Sequence, residues 1–180
     1  MRHTIRKWFW PWDFEKEEAW LSECAAKGLA LVSVGWCRYD FEECTPGAYQ
    51  VRLELLDSAP SHPESMQYLR FLEETGAEHV GSYMNWVYLR RPTEYGTFNL
   101  FSDNASRVRH LGRILALVLP VMLLNIGIAV YNMSIGIAWN SPVNIVSSGI
   151  SVLAAVLFGI GAWKIGKKRK ALKRDAQIFE

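Results

Sequence analysis

Two uncharged apolar stretches near the C-terminal end constrain this 180-residue chain more than anything else in it. ILALVLPVMLLNIGIAVYNM runs from Ile114 to Met133, and VNIVSSGISVLAAVLFGIGAW runs from Val143 to Trp163. Each is about the 20 residues that an α-helix needs to cross a hydrocarbon core of roughly 30 Å. The segment between them, 134–142, carries no charge. The two stretches are therefore expected to form a transmembrane helical hairpin over 114–163, and the rest of the chain must fold in water.

The charges divide along the same line. Residues 1–91 carry ten Lys/Arg against fourteen Asp/Glu, and residues 92–180 carry ten against four. Arg107, Arg109 and Arg113 precede the first stretch, and Lys164, Lys167, Lys168, Arg169, Lys170, Lys173 and Arg174 follow the second. Cations flanking membrane helices mark the cytoplasmic side. The start, MRHTIRKWFWPWDFEKEEAW, has a short aromatic run broken by Pro11 and Asp13, unlike a secretory signal. The expectation is a multi-pass membrane protein with both termini cytoplasmic. Arg107, Arg109, Arg113, Lys167, Lys168, Arg169 and Lys170 are then the membrane-surface set, with anionic lipids as partners.

Residues 1–91 alternate strand and helix signals. His3 to Trp10 reads as a strand ended by Pro11. Asp13 is an N-cap candidate for a helix with Glu15, Glu17 and Glu18 in its first turn and Phe14, Leu21, Cys24 and Ala25 near one face. Lys27-Gly28 closes that helix. Leu29–Val34 is a buried-strand run, and 37–42 and 49–55 alternate apolar with polar residues. Pairing Phe41 with Val51 would match both faces, setting Asp40 opposite Arg52 and Arg38 opposite Glu54. Pro63 opens a second helix that Gly76 ends, and Glu78 to Arg91 gives one or two further strands. The half-chains echo each other. The expected architecture is α+β: a ferredoxin-like βαββαβ soluble domain at 1–91. A connector and juxtamembrane helix follow at 92–113, then the hairpin at about 114–133 and 143–163, then a basic cytoplasmic tail at 164–180.

No catalytic spacing emerges. The chain has no P-loop, nucleophile elbow, H-E-x-x-H or G-x-G-x-x-G. His3, His62, His79 and His110 are scattered, and His110 lies among the juxtamembrane arginines. Cys24, Cys37 and Cys44 lack zinc spacing and are expected to be reduced, packed thiols. No catalytic residue, metal or cofactor is assigned. The net-acidic first part opposes phosphate binding, which argues against nucleic acid as a partner.

Eight tryptophans are the oddest feature. Trp8, Trp10, Trp36 and Trp86 are candidates for a partner or ligand surface. Trp8, Trp10 and Trp12 could instead lean on the membrane interface, where indole is favoured. In the second apolar stretch Ser147, Ser151, Ala155 and Gly159 recur every fourth residue, a row that lets helices approach closely. Packing within the hairpin is one use of that row and homodimerisation is another. Asn125 and Asn132 are candidates to bond Ser147 or Ser151 or to bridge a dimer. Neither span contains Asp, Glu, Lys, Arg or His, which argues against an ion or proton path.

The stretches WDFEKEEAWLSECAAKGLALVSVGWCRYDFEE, YQVRLELL, FLEETGAEHVGSYMNWVYLRR and FNLFSDNASRVRHLGRI resemble the bacterial family called domain of unknown function 2812, over about Lys7 to Ile114. The resemblance implies a cytoplasmic domain followed by membrane helices in a Gram-positive cell membrane. It also implies a setting near PadR-like regulators, hence bacterial signalling or envelope-stress regulation. It carries no activity and no catalytic residue. The functional expectation is a membrane-tethered binding or regulatory module with a protein partner or small ligand. The alternatives are an accessory subunit of a transporter or membrane complex, then an enzyme that joins Cys37 or Cys44 to His79, or Glu42 to a histidine.

Overall fold

The computed structural model describes residues 2–101 and 103–178, with side chains to 175. The chain divides into two compact units, Met1–Asp103 and Asn104–Glu180.

The first unit is α+β, with the strands β1 (Arg2–Arg6), β2 (Leu29–Gly35), β3 (Arg38–Glu43), β4 (Tyr49–Leu55), β5 (Glu78–Tyr83) and β6 (Trp86–Pro92). Helix α1 (Phe14–Ala26) follows β1, and α2 (Pro63–Glu74) follows β4. The strands form two antiparallel three-stranded sheets, in the orders β1-β3-β2 and β4-β6-β5. Each half is therefore a β-α-β-β unit whose third strand lies between the other two. The ferredoxin-like plan interleaves its halves in one four-stranded sheet; here each half closes its own sheet.

The repeat extends to its joints. Gly28 ends α1 at φ 83° and Gly76 ends α2 at φ 85°. The second strand of each half is broken by a register shift, Leu31/Ser33 in β2 and His79/Gly81 in β5. Each then turns through a non-glycine residue with positive φ, Cys37 at 50° and Met84 at 52°. The two shifted edges lie against each other. Arg90 Nη1 donates to Leu31 O at 2.8 Å across them. A Cβ on Gly81 would sit 3.1 Å from Val34 Cγ2. Bulges twist an edge away from regular pairing, so the sheets abut without merging.

The β3–β4 hairpin expected from alternation does not form. Phe41 pairs with His3 and Leu31, while Val51 pairs with Arg90. The connection is held by the end of α1 instead: Cys44 N donates to Gly28 O and Gly47 N to Ala25 O, both at 2.9 Å. Orphan carbonyls at a helix C-terminus need donors, and satisfying them here carries the chain from one sheet to the other. The segment after β6, read as a connector, packs onto the second sheet. Phe98 is buried, Gln50 Nε2 donates to Gly96 O at 3.0 Å, and Arg91 Nη2 donates to Thr97 O at 2.7 Å. One core gathers Leu21, Cys24, Leu31, Tyr39, Phe41, Val51, Leu53 and Tyr88, from both sheets and α1. A second gathers Leu56, Leu69, Leu72, Ala77, Val87, Leu89 and Phe98 around α2.

The second unit is a helical hairpin of α3 (Asn104–Ala138) and α4 (Pro142–Ile178). The juxtamembrane segment and first apolar stretch are one helix, and α4 runs on through the basic segment. The connection is Trp139–Ser141, far shorter than the uncharged 134–142, with Asn140 at φ 47°. Asparagine tolerates this left-handed cap better than most residues. Buried Val118, Ala129 and Gly136 on α3, and Ser148 and Ser151 on α4, mark the seam between the helices. Ser148 Oγ donates to Ala129 O at 2.8 Å across it. Asn125 and Asn132 do not cross the seam; each donates to its own helix, at Val121 O and Ile128 O. His110, expected at the surface, is buried.

Both helices are long and apolar enough to cross a membrane, and only 17% of the most apolar window of each is buried. Leu123, Leu124, Val130, Tyr131, Val146, Ile150 and Leu153 all face outward. A helix in a water-soluble core buries its apolar stripe; these expose theirs on most sides.

Candidate functional site

The tryptophans sort by where β1 ends. Strand β1 stops at Arg6, short of the Trp10 that its aromatic run suggested. Lys7 N still donates to Cys37 O at 3.1 Å, which leads Trp8 to the β2–β3 turn. Trp8 and Trp36 then meet edge to face at 5.4 Å. Trp8 also meets Trp10 at 5.1 Å, and Trp10 stacks on Trp12 at 5.0 Å with planes 2° apart. Trp36 reaches Tyr83, at the end of β5, at 5.6 Å. Of the four tryptophans singled out in the sequence, Trp8, Trp10 and Trp36 thus form one aromatic chain. Trp86 lies on β6, half-buried, with Phe14 at 6.0 Å. Trp12 is buried, whereas Trp8 is 50%, Trp36 64% and the neighbouring turn residue Met84 69% exposed. Large apolar side chains at two turn tips, each tip with a positive φ outside glycine, are an unusual arrangement that costs of order 1 kcal/mol per turn.

Behind this end lies a buried carboxylate in the first turn of α1. Glu17 is 7% exposed. Its Oε1 accepts from Tyr39 Oη of β3 at 2.7 Å and from Tyr88 Oη of β6 at 2.6 Å. One oxygen on α1 therefore fastens both sheets. Burial pushes its pKa up, opposed by the Tyr88 and Tyr39 hydrogen bonds. Both phenols are pushed up as well, first by burial and then by the carboxylate. The adjacent Glu18 accepts from Leu53 N of the edge strand β4 at 2.8 Å. Burial raises Glu18 to about 7, against the Leu53 N–H and Arg52. A signal for Glu17 existed: it sits three residues after Phe14 and four before Leu21, on the stripe that faces the core. The second half has a counterpart, in which Tyr68 Oη of α2 donates to buried Glu54 at 2.8 Å.

The pairings imagined for catalysis are not made. His79 Nε2 lies 2.8 Å from Ser82 Oγ, and among the described residues no hydrogen bond joins Cys37 or Cys44 to a histidine. His3 approaches Glu43, not Glu42, at 3.4 Å, and Glu42 takes Arg2 at 2.9 Å. The described residues hold no cluster of three His, Cys, Asp or Glu that could bind a metal ion. Glu17 and its two phenols can accept or share a proton, and their burial makes them a structural clamp.

On the hairpin, Arg107, Arg109 and Arg113 stand at the start of α3 and Lys167, Lys168, Arg169 and Lys170 near the end of α4. The two sets share one end: Arg169 Nη2 lies 3.6 Å from where a Cβ on Gly112 would be. Lys167 Nζ sits 5.4 Å over the exposed Trp163 ring. The opposite tip carries Trp139, 81% exposed, and no charge. The small-residue row faces inward in part: Ser151 is buried, and Gly159 would place a Cβ 3.6 Å from Met122 Sδ.

The fold and these features define a class: an α+β unit built of two β-α-β-β halves, followed by two apolar helices able to cross a membrane. The family model described as "Protein of unknown function (DUF2812)" matches residues 13–123, from the start of α1 into the middle of α3. The chain belongs to that family. No curated protein and no solved structure matches it.

Proposed function

We propose that the chain is a membrane-tethered binding or regulatory module of a bacterial cell membrane. Its two helices span the bilayer, both termini are cytoplasmic, and the exposed tryptophan end of the first unit is its binding surface. One observation carries the reading: the hairpin is polarised, with the cations and Trp163 at one end and Trp139 alone at the other. From Pro142 to Trp163, α4 rises about 33 Å at about 1.5 Å per residue, close to the roughly 30 Å of a hydrocarbon core. Tryptophan at both interfaces and cations on the inner side is the expected dressing of such a span. The reading as an accessory subunit draws less support, because Ser151 and Gly159 are already used within the hairpin. The enzymatic reading lacks a joined nucleophile and base.

The test uses the full chain in membranes. Resistance to alkaline carbonate extraction, together with a protein or ligand that co-purifies with the native chain and is lost with Trp8→Ser/Trp36→Ser, supports the proposal. Release by carbonate overturns the tether. Identical recovery with the double variant overturns the assigned surface.

A further inference from the structure

We infer that the tryptophan end of the first unit docks onto the anionic surface of the bilayer that anchors the chain. This rests on the tethered reading above and names the partner of the surface assigned there.

On the outer face of the first sheet, β1 and β3 pair residue by residue. Arg2 faces Glu42 and bonds it at 2.9 Å. Thr4 faces Asp40 and bonds it at 2.6 Å. The third rung breaks the pattern: Arg6 faces Arg38. Like charges directly opposite on a sheet repel. Arg38 leans back to Asp40 at 3.1 Å. Arg6 is exposed and belongs to none of the ion pairs among the described residues. Lys7, next along, is exposed as well and lies over the Phe9 and Trp20 rings at 5.0 and 4.6 Å. The charge ladder thus ends in a rung of two cations, of which Arg38 is paired with Asp40 and Arg6 is not.

That rung is beside the exposed indoles. Arg38 follows the Trp36-Cys37 turn, and Trp8 follows Lys7. Trp8, Trp36 and Met84 offer apolar area, and Arg6 and Arg38 stand on the adjoining rung with positive charge. Indole favours the headgroup level of a bilayer. Each cation near an anionic lipid surface adds about a fivefold gain in binding. An acidic peptide would match the cations too. The bilayer has the advantage of attachment: the first unit ends at Asp103 and α3 begins at Asn104, so a lipid surface is always at high effective concentration. A weak patch is enough when docking is intramolecular.

The experiment uses the full chain with Trp139→Phe/Trp163→Phe, so that the remaining tryptophans all precede the hairpin. It is reconstituted into nanodiscs of phosphatidylcholine, with or without phosphatidylglycerol, in which some acyl chains are brominated near the headgroup. Bromine quenches tryptophan emission by contact. The inference predicts quenching in the anionic discs, loss of it in 0.5 M salt, and little in zwitterionic discs. Arg6→Glu keeps every tryptophan and gives Arg38 an opposite charge across the rung, so the fold stands. It should weaken docking on the order of tenfold or more. Emission indifferent to brominated lipid in anionic discs overturns the inference, as does quenching unchanged by Arg6→Glu. A polyglutamate peptide that shifts the same emission while anionic discs leave it unquenched assigns the surface to an acidic protein segment instead. A chain that incorporates but does not quench removes only the docking; one that cannot incorporate removes the tether and the docking together.

Discussion

Glu17 of α1 ties together β3 of one sheet and β6 of the other. Two phenols donate to one of its oxygens. Glu17→Ala should strand both hydroxyls in the core and cost about 2–5 kcal/mol of unfolding free energy, read by denaturant titration of the full chain in detergent. Glu17→Gln keeps an acceptor and should cost less, about 1 kcal/mol. Glu18 gives a pH dependence with a definite sign. Its folded-state value is raised from 4.5 to about 7, so the folded protein holds the proton more tightly than the unfolded chain. The stability it contributes is full below about 4.5, falls as pH rises to about 7, and is flat above. Glu17 is shifted in the same direction and adds to this slope. The loss across that window should be up to about 3 kcal/mol, and Glu18→Gln should flatten it in unfolding curves recorded from pH 4 to 8. These acids were legible only halfway. Their place in a helix first turn could be read from the sequence, and the stripe shared with Phe14 and Leu21 marked Glu17 as inward. Their partners could not, because Tyr39 and Tyr88 lie on strands whose pairing is set by the whole fold.

The elements are specified most sharply at their joints. Gly28 has φ 83° and a Cβ there would meet Cys44 O at 2.9 Å, whereas Gly47 has φ 75° and nothing within 4 Å. Gly47→Ala should cost only the left-handed backbone, about 1 kcal/mol. Gly28→Ala should cost about 2–3 kcal/mol, because the crossover strand must also shift. Thermal unfolding of the pair separates the two terms. In the hairpin, a Cβ on Gly136 would lie 2.7 Å from Ile145 Cγ1, while Gly127 has open space. Gly136→Ala should therefore loosen the tip and speed hydrogen exchange there, and Gly127→Ala should not. Both helix-ending glycines, Gly28 and Gly76, were readable from the sequence. The β3–β4 hairpin fails to form for a physical reason. Alternation in Arg38–Glu43 fits any apolar-faced neighbour, and β1 and β2 provide two, while the carbonyls ending α1 take the donors of Cys44 and Gly47.

At the scale of the molecule, a duplicated β-α-β-β unit is clamped by carboxylates, and a hairpin carries its apolar surface outward. The echo between the halves was visible in their helix ends, but the strand order was not, since identical local patterns suit one interleaved sheet or two separate ones. The two apolar stretches were legible at once, because length and lack of charge suffice to mark them. The tightness of the turn was not, since 134–142 is uncharged and either helix or loop would satisfy it. A hairpin that crosses a membrane in the proposed sense holds its tip outside and its cations inside. A cysteine at the tip tests it most directly. Asn140→Cys is compared with the native chain, whose Cys24, Cys37 and Cys44 all lie in the first unit. Intact cells are treated with a membrane-impermeant maleimide. Asn140→Cys should be labelled, and the native chain should not be until the cells are lysed. Labelling of the native chain in intact cells, or of Asn140→Cys only after lysis, would contradict it.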